Sequence, residues 1–171
     1  MPLGPHLPSI SSRRASRAFT LVEIMVVVVI IGLLAAASLP AYRLITLRSR
    51  AATVVNDLRT FSTVFIAYSI QNGRYPDDGD PQLVPPQVAG QLPSNFIQRT
   101  PIGGVYKWNF DIPADGVPAK AALIIQAGAG NPLLDDLDQL EAVDKQIDDG
   151  NLSTGNLQLG STNSLVFIIE R

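Results

Sequence analysis

The chain of 171 residues has no cysteine, and its only histidine is His6. Disulfides, iron–sulfur clusters and thiolate zinc sites are therefore excluded, and Cys–His or Ser–His–Asp nucleophile systems lack their members in any folded region. Charge is also scarce, at 16% of residues against about a quarter in soluble domains. The net charge is −2, and no basic run is interleaved with aromatics, so no direct nucleic-acid partner is expected. The length allows one domain and an appendage.

What the sequence has instead is apolar surface, at 46% of residues, much of it in one run. From Phe19 to Leu39 the only charge is Glu23. A helix of that length spans about 30 Å, one hydrocarbon core. Arg13, Arg14 and Arg17 before it balance Arg43, Arg48 and Arg50 after it, so the positive-inside rule leaves the orientation open. Ala35, Ala36 and Ala37 form a small-residue site at which a conventional signal peptide would be cut, but the run exceeds the usual core of about 7 to 15 residues.

Glu23 fits poorly in either setting. An acid at the centre of a membrane helix costs about 2.5 to 3.5 kcal/mol, reduced near a helix N-terminus by the dipole and by snorkelling. An interfacial acid at the membrane edge is one reading.

A second reading comes from the pattern Arg17-Ala18-Phe19-Thr20-Leu21-Val22-Glu23, followed by the apolar run and Pro40. It resembles the processing signal of the type IV pilin and type II secretion pseudopilin family. The resemblance implies a basic leader, residues 1–18, cut between Ala18 and Phe19 by a prepilin peptidase, with the new amine of Phe19 then methylated. The family's usual residue before the cut is Gly, where this chain has Ala18. Glu23 becomes the fifth residue of the mature chain, and its implied task is to meet the Phe19 amine of a neighbouring subunit. Pairing would offset part of the desolvation penalty of both charges and fix the stagger. Gly32 and Pro40 are the weak points of the helix, and the stretch between them is the expected deformable part. The resemblance further implies a membrane-anchored subunit with its head outside the bacterial cytoplasm, polymerising with its own copies, with an assembly platform and minor pilins as partners.

Beyond Pro40, Leu44, Leu47, Ala51, Val54, Leu58, Phe61, Phe65 and Tyr68 recur at alternating spacings of three and four, one face of a helix running to Asn72. Arg48, Asn56, Arg59, Ser62 and Thr63 mark its other face. Gly73 and Pro76 end it, and the stretch YSIQNGRYP also resembles the helix exit of major pseudopilins. Residues 77–98 read as a long loop with one short helix. Tyr106, Trp108 and Phe110 alternate with polar neighbours, whereas residues 121–126 and 165–169 are continuous apolar runs that suit central strands. The predicted fold is α+β: a long N-terminal helix, 19–39 in the membrane and 40–72 amphipathic, packed on a small antiparallel sheet within 73–171.

Asn131 and Pro132 suit a helix start, and Leu133, Leu137, Leu140, Val143 and Ile147 make a stripe, predicting an amphipathic helix over about 132–147. Its acids, among them Asp135, Asp144, Asp148 and Asp149, are assigned to a solvated face. Calcium is the one cofactor considered, as some major pseudopilins bind it in this region; Asp148, Asp149 and Asn151 are the candidate ligands, although their spacing is not that of an EF-hand. No catalytic constellation emerges. The chain is expected to be a structural prepilin, with a conventionally exported binding module or carbohydrate-active enzyme, cut near Ala37, as the alternative.

Overall fold

The computed structural model describes residues 19–133 and 136–171. The leader, with Ala18 and its arginines, and Asp135 lie outside the described residues. The chain divides into two compact units, one ending at Pro40 and the other running from Ala41 to Arg171.

The first helix, α1, covers Leu21–Asn72 and contains Pro40. Among the described residues, its part in the first unit has no packing partner: an 18-residue window there has mean hydropathy 2.7 and is 0% buried. Leu, Ile and Val point outward all round, the pattern of a helix whose environment must be apolar.

In the second unit the same helix has one buried face, made by Ala51, Val54, Val55, Leu58, Phe61 and Phe65. It packs on a four-stranded antiparallel sheet in the order β1-β2-β4-β3. The strands are β1 (Val105–Phe110), β2 (Ala121–Gln126), β3 (Leu157–Leu159) and β4 (Leu165–Glu170). Phe65 stacks on Trp108 with ring centroids 3.8 Å apart. Phe61 meets Tyr106 edge-on at 5.0 Å and Phe96 at 5.1 Å. The opposite sheet face is covered as well: Ala122, Ile124, Val166 and Ile168 cluster with Ala114 and Val117 from the β1–β2 connection. Two-sided burial is why β2 and β4 read as unbroken apolar runs.

Helix α1 stops where the sequence predicts. Gly73 takes φ +73°, its N–H donating to Ser69 O at 2.8 Å. The chain then returns along β1, with Gly79 N–H on Trp108 O and Gln82 N–H on Tyr106 O. Short 3-10 turns at Pro86–Val88 and Ser94–Ile97 bury Val88 and Phe96. Leu83, in the same loop, is 55% exposed.

Several polar positions are buried contrary to their apparent face. Ser62 turns its hydroxyl to Arg59 O at 2.9 Å, and Asn109 donates to Ile112 O at 2.7 Å. Asp57, on the core side of α1, accepts hydrogen bonds from Asn95 at 2.7 Å and from the Tyr106 hydroxyl at 2.9 Å. Burial pushes its carboxyl above the usual range, and these two donors hold it back.

The second helix, α2, covers Leu137–Ile147, starting later than the predicted 132. Leu133 is paired with Gly103, and the Asn131 side chain donates to Gly104 O at 2.6 Å, so neither residue opens a helix. The backbone at 131 and 133 is taken by bridges to neighbouring segments, which outweigh the local capping signal. Leu140 and Val143 face the core, but Leu137 is exposed. Gln139 and Gln146 tie α2 to α1 by donating to Leu47 O and Arg48 O.

Candidate assembly segment

The geometry at the start of α1 gives Glu23 a local role. Thr20 precedes the helix, and its hydroxyl accepts the N–H of Glu23 at 3.2 Å. Thr-x-x-Glu is the capping-box spacing, and it puts an acid in the first turn, where the helix dipole favours negative charge. The signal was present in the sequence as Thr20-Leu21-Val22-Glu23. Phe19, just before it, is exposed, as are Leu21, Val22 and Ile24. The Glu23 side chain thus lies among side chains that have no protein partner among the described residues of their own unit.

Gly32 has no heavy atom within 4 Å of the position a Cβ would take. Close packing inside the monomer is therefore not what requires glycine there. The helix is unbroken through Pro40, although Pro40 cannot donate to the carbonyl four residues earlier. Near it, Ser38 donates its hydroxyl to Leu34 O at 2.8 Å.

The candidate calcium ligands lie in the turn after α2. Asp149 accepts the Asn151 N–H at 2.8 Å and the Thr154 hydroxyl at 3.0 Å. Asn151 accepts the Ser153 N–H at 3.1 Å, and Asp148 accepts the Asn156 N–H. These side chains close the turn on itself. Among the described residues, no group of three or more His, Cys, Asp or Glu is arranged to hold a metal ion. Calcium takes about six to eight oxygen ligands, of which these three residues would supply a part.

Comparison with known proteins bears on the same N-terminal segment. Residues 13–39 match the family model described as the prokaryotic N-terminal methylation motif. The chain is 33% identical over 96 residues to Type II secretion system core protein G of Klebsiella michiganensis, an alignment covering 52% of this chain and 68% of that protein. The chain belongs to the type IV pilin and type II secretion pseudopilin family. Fimbrial protein Q of Moraxella bovis is 33% identical over 95 residues, 53% of this chain and 60% of that protein. Type IV major fimbrial protein FimA of Dichelobacter nodosus is 46% identical over 67 residues, 39% of this chain and 41% of that protein. The chain thus spans about 60% of the length of the Moraxella relative.

In a family member, Phe19, Glu23, Gly32 and Pro40 fall in or beside one exposed apolar helix, and the structure brings the Thr20 cap to Glu23. The acidic turn is a separate feature of the head. Asp144, assigned above to a solvated face of α2, is instead buried, and the buried Asp57 escaped sequence reading, because an acid on an amphipathic helix is ordinarily solvated.

Proposed function

We propose that the chain is a prepilin, a non-catalytic structural subunit of a type IV pilus or type II secretion pseudopilus. Prepilin peptidase cuts between Ala18 and Phe19, and the Phe19 amine is methylated. The mature subunit is held in the bacterial inner membrane by residues 19–39, with its head outside the cytoplasm. It then leaves the bilayer by packing that helix against other copies, delivered through an assembly platform and accompanied by minor pilins.

The observation that carries this reading is the methylation-motif match over 13–39 together with a helix from Leu21 whose apolar window is 0% buried. An apolar surface of that extent is stable only in lipid or against other apolar helices. Conventional export with a cut near Ala37 would discard the surface and leave the motif without purpose.

In a filament, Glu23 would lie in an apolar bundle, where a lone charge is costly and a paired one much less so. Glu23→Ala is therefore expected to leave membrane insertion and head folding intact and to reduce incorporation at least tenfold, measured as chain recovered in sheared filaments from an assembly-competent host. Incorporation equal to wild type would refute the charge-pairing role.

A further inference from the structure

A groove opens between α1 and α2, wholly within residues 41–171. Its volume is about 760 Å³, within the range of about 300 to 1,000 Å³ that small-molecule sites occupy. Leu44, Leu47 and Ala142 supply apolar lining, while Arg48, Lys145, Asp138 and Glu141 add charges of both signs in equal number. The two helices are tied together, Gln139 donating to Leu47 O at 3.1 Å and Gln146 to Arg48 O at 3.4 Å. The charges are loosely committed. Lys145 reaches Glu141 at 3.1 Å and Arg43 reaches Asp138 at 3.4 Å, but all four side chains are largely exposed, where such pairs contribute little. Among the described residues, Arg48 forms no ion pair.

The chain limits how far this groove can be from a bilayer. Leu44 and Arg48 follow Leu39, the end of the apolar run, by five and nine residues. At about 1.5 Å per residue that is at most about 8 Å and about 14 Å of helix, and the headgroup layer is about 5 to 8 Å deep on each side of the hydrocarbon. Helical side chains slant toward the N-terminus, and a long arginine reaches further back along its stem. Tyr42 is 72% exposed in the same stretch, and tyrosine is a residue enriched at headgroup level.

We propose that the groove binds the headgroup of a phosphatidylethanolamine lipid, with its phosphate on Arg48 and its ammonium between Asp138 and Glu141. The inference rests on the reading that residues 19–39 lie in a bilayer. A guanidinium fork suits phosphate oxygens, and a primary ammonium, like that of lysine, brings three N–H donors to carboxylates. The glycerol and first acyl carbons would lie on Leu44 and Leu47. A choline headgroup has no N–H to give the acids, and an anionic headgroup would satisfy Arg48 but meet Asp138 and Glu141 as like charges. A simple basic collar would instead favour anionic lipid. The pairing of both signs in one groove is what selects a zwitterion.

The test uses the full chain in nanodiscs made from equal parts of phosphatidylcholine, phosphatidylethanolamine and phosphatidylglycerol, with retained lipids counted by native mass spectrometry. Phosphatidylethanolamine should be enriched about two- to fivefold over each of the others, the scale of one exposed ion pair. Arg48→Gln and Glu141→Gln should each abolish the enrichment. Arg50→Gln should keep it, since residues two apart do not share a helix face. In bicelles, replacing phosphatidylcholine by phosphatidylethanolamine should shift the Arg48 and Ala142 amides of the wild type, a readout that needs no variant to fold. Equal retention of all three lipids, enrichment of phosphatidylglycerol, or enrichment that survives both groove variants would overturn the proposal. So would amide shifts that follow the protein-to-lipid ratio and ignore the headgroup, which would mean that a second copy covers the groove. A chain that does not float with vesicles would overturn the membrane reading and this inference together, whereas a chain that inserts without lipid preference overturns the inference alone.

Discussion

Val28 and Ile30 in the first unit are 62% and 51% exposed, whereas Leu58 and Phe61, further along the same helix, are fully buried. The residues are chemically alike, so the contrast lies in what surrounds them. Residues 41–171 carry their own core: a helix face, two covered sheet faces and an aromatic cluster at ring spacings of 3.8 to 6.2 Å. Residues 21–40 have none, and their apolar surface must be satisfied by lipid or by neighbouring subunits. One helix therefore serves two environments, and the change shows in its sequence as a passage from apolar on all sides to apolar on one.

The comparison can be broken most forcefully in the head. Trp108→Ala removes the ring stacked on Phe65 and the indole N–H that donates to Pro76 O at 3.1 Å. It should cost about 3 to 5 kcal/mol of head stability, read by denaturant unfolding, with membrane retention of the anchor unchanged. A loss below about 1 kcal/mol would mean that the stack is not central to the core.

Val28→Arg makes the complementary cut. It should cost about 2.5 to 3.5 kcal/mol of membrane insertion, seen as loss from the membrane fraction, and leave the unfolding midpoint of the head where it was. A shift in that midpoint would show that the two units do not divide the apolar work as described.

A smaller effect is expected at Asp115, which ties the β1–β2 connection to the β3–β4 turn. Burial opposes its charge, but hydrogen bonds from Ser164, Thr162 and Ser161 outweigh that and bring its pKa down to about 2. Stability from a depressed acid is present above the ordinary value and is lost as pH falls toward the folded one. Wild-type melting temperature should therefore drop as pH goes from about 4 to about 2, and Asp115→Asn should flatten this drop. The variant should also lose about 1 to 3 kcal/mol at neutral pH, as donors are left mispaired.

The features most legible in the sequence were those fixed by local chemistry. The apolar run, the Gly73 stop and the runs at 121–126 and 165–169 each follow from periodicity or backbone preference, and all stand in the structure. The features missed depend on tertiary partners. The start of α2 shifted to Leu137 because the backbone at 131 and 133 is bridged elsewhere, and three-residue β3 is too short to show a period. Asp57 is buried because Asn95 and Tyr106 can reach it, a meeting that sequence spacing does not reveal. At the N-terminal segment, the family pattern is legible in the sequence, and the Thr20 cap is a local signal within the same stretch.

The central claim is that residues 19–39 are kept in the mature protein as a working surface and not discarded as a signal. Mass spectrometry of the mature N-terminus, from cells that contain prepilin peptidase, tests it directly. The account predicts a chain that starts at Phe19 and carries one methyl group on its amine. A mature chain starting near Ser38, with the apolar segment gone, would contradict it.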